Sequence, residues 1–130
     1  AYAGLGAVFG HNFPIHLKLK GGKGIATTAG MMLAFCPWAV PVCLVLFTLS
    51  IFVKKYVSVG SLLVCLGFFV QTVLFGNSGV LGAPQWALTE IYIVVGLVCL
   101  LGVIRHQSNI KRLLSGTENK VFVQEEQRKS

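Results

Sequence analysis

Two short stretches of this sequence hold nearly everything that could do chemistry. The first is Gly10-His11-Asn12-Phe13-Pro14, followed by Lys18-Leu19-Lys20-Gly21-Gly22-Lys23-Gly24-Ile25-Ala26-Thr27-Thr28. Three glycines around Lys23 strip side chains from the backbone, so its N–H groups can approach an anion closely. A helix starting directly afterwards would add free N–H groups and the positive end of its dipole. Lys23 brings a full charge to the same place. A nucleotide-hydrolysing P-loop is excluded, because Leu17 stands where that motif needs its first glycine and Gly24 where it needs Ser or Thr. Physics alone leaves two readings open: a phosphate-sized anion site, or a basic loop that only orients a membrane segment. His11 and His16 flank the loop as surface or capping residues, and His11 is the better placed, beside an aromatic-proline turn.

The second stretch runs from Arg105-His106-Gln107-Ser108-Asn109-Ile110-Lys111-Arg112 through Leu113-Leu114-Ser115-Gly116-Thr117-Glu118-Asn119-Lys120. On one continuous helix, Arg105, Asn109 and Arg112 would share a polar stripe, with His106 facing Asn109 at i+3. Ile110, Leu113 and Leu114 would form an apolar stripe suited to resting on a bilayer. An interfacial helix meeting anionic headgroups accounts for the basic residues. It does not account for His106 with Asn109.

The elements that must position these groups follow from composition. Of 130 residues, 55% are hydrophobic and 12% charged, with eleven Lys+Arg, four Glu and no Asp, for a net charge of +7. Mean hydropathy is +0.76. Soluble domains carry about 25% charged residues, so disorder, a nucleic-acid-binding arm and an ordinary water-soluble domain are excluded. An all-α, polytopic membrane helix bundle remains, with three to four membrane segments and a short interfacial helix. One membrane domain covers 1–130, with a cytoplasmic Gly-rich loop at 10–24 and a cytoplasmic amphipathic helix and tail at 105–130.

Charges mark the spans. Residues 24–53 and 56–89 hold none, and 91–104 follow the single Glu90. A crossing takes about 20 apolar residues, so Tyr56–Phe75 and Trp86–Ile104 each predict one helix. Gly24–Val53 is too long for one straight helix and carries Pro37 and Pro41. It predicts a short helix to Phe35, a break at Cys36-Pro37, and a full span to Val53. With the uncharged 76–85 turn outside, this two-legged path puts Lys18–Lys23, Lys54/Lys55 and the Arg105 cluster all in the cytoplasm. Glu90 sits near the outer end and snorkels. Ser58 and Ser61 open the span after Lys55, where hydroxyls usually bond their own backbone. Cys36, Cys43, Cys65 and Cys99 lie inside apolar spans and read as small buried hydrophobes, with no disulfide or metal site implied. Ala1–Gly10 reads as the end of a helix begun upstream, so a fragment is expected.

Gly10-His11-x-Phe13-Pro14, Lys20-Gly21-Gly22-Lys23-Gly24-Ile25-Ala26-Thr27, Tyr56-Val57-Ser58-Val59-Gly60-Ser61, and Arg105-His106-x-x-Asn109-Ile110-x-Arg112-Leu113 occur in order. Together with Gly116-Thr117-Glu118-Asn119-Lys120, they closely resemble the bacterial acyl-phosphate-dependent glycerol-3-phosphate acyltransferases, the PlsY family. The resemblance covers essentially the whole chain. It implies a multi-pass plasma-membrane enzyme whose active site faces the cytoplasm. Its reaction would transfer a fatty acyl group from acyl phosphate to the sn-1 hydroxyl of glycerol 3-phosphate. The products, lysophosphatidic acid and phosphate, belong to bacterial phospholipid biosynthesis. It further implies catalytic roles for Lys23, His106 and Asn109. Substrate contacts would come from His11, Gly21, Gly22, Gly24, Thr27, Ser58, Arg105 and Arg112. No cofactor or metal is implied, no nucleic acid, and a monomer in the lipid bilayer is expected. A Gly-Ser-Gly-Asn loop with an Arg, early in the family pattern, has no counterpart here. The alternative is a transporter or structural membrane subunit using the same basic loop for phosphate or lipid headgroups.

Overall fold

A computed structural model describes residues 1–14 and 22–121, and every regular element among them is helical. They are α1 (Tyr2–Asn12), α2 (Ile25–Phe35), α3 (Ala39–Lys54), α4 (Val57–Asn77), α5 (Gln85–Arg105) and α6 (Gln107–Leu114). Their limits have local causes. Phe13-Pro14 ends α1. Gly24 opens α2 from a left-handed conformation at φ 75°. Cys36, which precedes Pro37, closes α2 because a residue before proline is pushed out of the helical region. Lys55 ends α3 in the left-handed region at φ 62°, and extended Pro84 starts α5.

α4 and α5 hold 21 residues each, about 32 Å of helix against a hydrocarbon core of about 30 Å. They are long and apolar enough to cross a membrane. α3 falls short of the expected full span: its 16 residues rise only about 24 Å. α2, at 11 residues, is shorter still. Five helices close a ring, each touching the next: α1 on α2, α2 on α3, α3 on α4, α4 on α5, and α5 back on α1. Val8, Met32, Cys36, Phe68, Val95 and Val98 fill its centre. Phe52, Leu66 and Leu100 point outward, as a lipid-facing surface requires.

Small residues bring the helices close, as is usual where no hydrophobic force separates helix from lipid. A Cβ on Gly60 would come within 2.8 Å of the Phe47 ring, and one on Gly102 within 2.7 Å of Cys65 Sγ. Some polar groups inside the bundle bond backbone carbonyls: Thr72 donates to Phe68 one turn back at 2.7 Å, and Cys99 on α5 donates to Cys65 on α4 at 2.9 Å.

One sequence expectation is corrected. Arg105, Asn109 and Arg112 do not share a continuous helix, because α5 stops at Arg105 and α6 restarts at Gln107. His106 lies between them, and the Gly102 carbonyl accepts from both its backbone N–H (3.2 Å) and its ring Nδ1 (2.7 Å). That double claim on one carbonyl turns the chain and drives the imidazole inward.

Candidate active site

The polar residues collect at the end of the ring where α1 stops, α2 starts, α3 turns into α4, and α5 gives way to α6. Gly24 is the pivot of the α2 start. Its carbonyl accepts from the Thr28 N–H (2.8 Å), Thr27 Oγ1 (2.9 Å) and Thr28 Oγ1 (2.8 Å). Thr27 therefore shapes the helix start with its hydroxyl proton. The first amides of α2 have no partner within the helix, as at any helix N-terminus, and Lys23 stands beside them. The left-handed conformation and the close approach of Asn12, whose Oδ1 would lie 2.7 Å from a Cβ on Gly24, both call for glycine there.

Gly22 is held from two sides. The His11 ring packs against it so tightly that a Cβ would collide with Nε2. Arg105 donates from Nε to its carbonyl at 3.2 Å while stacking over Phe13 at 5.2 Å. His11 and Arg105 thus fix the segment that carries Lys23. Gly21, Lys18, Lys20 and His16 lie outside the described residues.

A second hub forms around Glu118, to which the sequence reading assigned no role. Its carboxylate accepts from Ser58 Oγ (2.9 Å), Asn109 Nδ2 (2.8 Å) and Arg112 Nε (2.8 Å). It gets there because α6 ends in a Schellman turn: Thr117 N–H bonds the Arg112 carbonyl and Gly116 N–H that of Leu113, with Gly116 at φ 72°. Val121 N–H then reaches the Lys55 carbonyl at 2.9 Å, strapping the tail across the α3–α4 turn. Burial pulls the Glu118 carboxyl upward, but the Asn109, Ser58 and Arg112 hydrogen bonds and the guanidinium charge prevail and hold its pKa below the usual value. A sequence signal was available: this is the one acid within the second motif, 105–120.

His106 is 1% exposed. A carbonyl can only accept, so the Nδ1 contact with Gly102 assigns the proton to Nδ1 and leaves the Nε2 lone pair free in the neutral ring. Burial lowers the His106 pKa below 6.5, and the Lys23 charge acts in the same direction, against the opposing Gly102 carbonyl and Glu118. A neutral imidazole at neutral pH results. Asn109, 4% exposed, keeps an unpartnered Oδ1. Asn12 is fully buried with both carboxamide atoms unpartnered.

Lys23, Ser58 and His106 line one end of a groove of about 520 Å³ between α2, α3 and α4, whose other walls include Ala29, Met32, Leu33, Cys43, Leu44 and Val64. Cationic and hydrogen-bonding groups therefore meet a long apolar trough. The model of the glycerol-3-phosphate acyltransferase family matches residues 1–116. The chain belongs to that family. A glycerol-3-phosphate acyltransferase of Halalkalibacterium halodurans is 43% identical over 124 residues, covering 93% of this chain and 56% of that protein. One from Thermoanaerobacter sp. (strain X514) is 39% identical over 119 residues, covering 92% and 55%. The crystal structure of PlsY (YgiH), an integral membrane glycerol 3-phosphate acyltransferase in its glycerol 3-phosphate form, superposes with TM-score 0.78 at 28% identity, covering 92% of this chain and 55% of that one. A second structure holds the lysophosphatidic acid form with the same score. The chain spans about half the length of these acyltransferases, and its helices are those of a membrane-embedded bundle.

Proposed function

We propose that this chain carries the acyl-transfer site of an enzyme that moves a fatty acyl group from acyl phosphate to the sn-1 hydroxyl of glycerol 3-phosphate. Lysophosphatidic acid and inorganic phosphate are the products. The observation that carries the reading is the groove: apolar along its length, with Lys23, Ser58 and His106 at one end. A fatty chain fits the trough and a phosphorylated head fits the mouth. The structural relatives solved in glycerol 3-phosphate and lysophosphatidic acid forms support glycerol 3-phosphate as the acyl acceptor and lysophosphatidic acid as the product.

The chemistry follows from the residues. The glycerol hydroxyl attacks the acyl carbonyl, the carbonyl–phosphate bond breaks, and the proton leaves with the oxygen atoms of phosphate. Lys23 and the first amides of α2 neutralise charge growing on the departing phosphate. His106 accepts a hydrogen bond from the hydroxyl through Nε2 and holds it toward the carbonyl. Asn109 Oδ1 offers a second acceptor. Ser58 donates its proton to Glu118, which leaves its oxygen lone pairs to accept from substrate. An acyl phosphate is already activated and needs no acyl-enzyme nucleophile. Lys23, Lys55 and Arg105 gather at one end of the bundle, consistent with a mouth on the cytoplasmic face of the bacterial plasma membrane.

The test is direct. The enzyme in liposomes, given palmitoyl phosphate and glycerol 3-phosphate, should release lysophosphatidic acid and phosphate in equal amounts. Uptake of a phosphorylated solute without product would point to a transporter instead.

A further inference from the structure

Apart from Lys23, the polar side chains that line the groove are all turned the same way. Cys43, Ser58, Ser61 and His106 line it, and each gives its hydrogen to the protein. Ser58 Oγ donates to Glu118 Oε1 at 2.9 Å, and Ser61 Oγ to the Val57 carbonyl at 3.1 Å. His106 Nδ1 donates to the Gly102 carbonyl at 2.7 Å, and Cys43 Sγ to the Val64 carbonyl at 3.8 Å. Carbonyl and carboxylate oxygens only accept, so none of these hydrogens points into the groove while its bond holds. Ser58 and His106 present lone pairs there, on Oγ and on Nε2.

The donors at the same mouth are Lys23 and the first amides of α2, which have no partner within the helix. A phosphate dianion, all acceptors, suits them. The mouth is therefore divided into a donor half for the phosphate and an acceptor half for the group the phosphate carries.

Glu118 fixes this division. Its side chain is 7% exposed and accepts from Ser58, Asn109 and Arg112. Against its burial, those three donors and the guanidinium charge hold its pKa below the usual value, and an ionised carboxylate has no hydrogen to return. Arg112 Nε can only donate. A glutamine at this position would therefore turn its oxygen to Arg112 and its NH2 to Ser58. Ser58 Oγ would then accept from residue 118, and its own hydrogen would swing toward the groove.

We propose that Glu118 sets the hydrogen-bond polarity of the mouth, so that the site takes a phosphorylated acceptor with a hydroxyl beside the one acylated and refuses one with a carbonyl in that place. His106 Nε2 holds the reacting hydroxyl, and Ser58 Oγ accepts from its neighbour. Glycerol 3-phosphate brings both hydrogens. A ketone at C2 sets lone pairs against lone pairs. Glu118 touches no substrate and acts through Ser58 as a positioning residue. The inference rests on the acyl-transfer reading above and adds a rule of acceptor choice to it.

The experiment gives the enzyme in liposomes, with palmitoyl phosphate in excess, three acceptors. They are glycerol 3-phosphate, 3-hydroxypropyl phosphate, which lacks the second hydroxyl, and dihydroxyacetone phosphate, which has a carbonyl there. kcat/KM should fall about a hundredfold for the second compound and about a thousandfold for the third. 2-Fluoro-3-hydroxypropyl phosphate, which cannot hydrate as a ketone can, should also rank below 3-hydroxypropyl phosphate. Glu118→Gln should shrink the ketone's deficit to about tenfold, and Ser58→Ala should bring 3-hydroxypropyl phosphate within about threefold of glycerol 3-phosphate. Each ratio compares two acceptors on one preparation, so partial unfolding of a variant leaves it unchanged. A ketone used better than 3-hydroxypropyl phosphate by the unaltered enzyme overturns the proposal, and so does a ketone deficit that Glu118→Gln leaves as it was. Competition of the same compounds against labelled glycerol 3-phosphate, without acyl donor, separates the two readings and supplies the ratios for a variant too slow to assay. The same order there, with no product from any acyl phosphate, would remove the acyl-transfer reading and keep the polarity. Equal competition by all the compounds, with product formed, would remove the polarity and keep the acyl transfer.

Discussion

Two apolar grooves of similar size lie on either side of α4. One, of about 520 Å³, runs between α2, α3 and α4; the other, of about 460 Å³, lies along α4 and α5 and is lined by Leu62, Cys65, Leu66, Phe69, Leu100 and Val103, among others. Volume does not separate them. The first ends in Lys23, Ser58 and His106, whereas every residue of the second is apolar or glycine. In a membrane, an apolar furrow is what any gap between helices becomes, and lipid fills it without selection. Only a furrow that meets charge and fixed hydrogen-bonding groups at one end can tell one amphiphile from another.

The largest expected effect that would break this comparison comes from the mouth. Lys23→Ala and His106→Ala should each lower turnover by about 10²–10³ while the protein remains folded, read as lysophosphatidic acid formation together with the thermal midpoint. Rates that survive both changes would reduce the first groove to the status of the second.

Next comes bulk in the walls. Ala29→Trp should cut the palmitoyl rate by about tenfold or more, whereas Leu66→Trp in the second groove should leave it within about twofold. Equal effects would show that the two furrows are functionally alike.

A smaller effect concerns protonation. His106 has its pKa held below 6.5 by burial, so the folded state favours the neutral ring. That preference stabilises the fold fully above 6.5 and is lost as pH falls through the depressed value. Activity that needs the Nε2 lone pair should fall over the same acidic range. Removing the Lys23 charge should move the His106 titration to higher pH, seen in nitrogen NMR shifts of the ring, because one of the influences lowering it has gone.

The smallest effects are structural. Glu118→Gln should lower the thermal midpoint by roughly 5 °C, since it weakens the bonds to Ser58, Asn109 and Arg112. Gly24→Ala should cost about 1–2 kcal/mol for its left-handed backbone, measured by denaturant unfolding in micelles, with a further loss from the Asn12 contact.

Most of the scaffold could be read from residue order. Uncharged runs located α4 and α5, and Pro37 located the break after α2, because both signals act within a few residues. The limits of α3 fell where the break at Cys36-Pro37 and the end near Val53 put them, but its 16 residues rise only about 24 Å and do not make the expected full span. The site was legible in its parts and less so in its joins. Lys23 and His106 were singled out by local pattern and Ser58 only by the family resemblance, and folding sets all three around one groove. Arg105 reaching back to Gly22, and Glu118 reaching Ser58, are contacts across 83 and 60 residues. Nothing periodic encodes such contacts. Even the helix break at His106 involves a ring nitrogen bonding the Gly102 carbonyl one turn back, which spacing does not reveal.

The strap that carries Glu118 also has a consequence in time. During synthesis α3 and α4 can enter the membrane and pack long before residue 118 leaves the ribosome, which adds about 5–20 residues per second. Until then Ser58 has no carboxylate to donate to, and Asn109 and Arg112 have nothing to converge on. The bundle therefore assembles first and its mouth last. A chain interrupted before its final turn would lack the carboxylate on which Ser58, Asn109 and Arg112 converge.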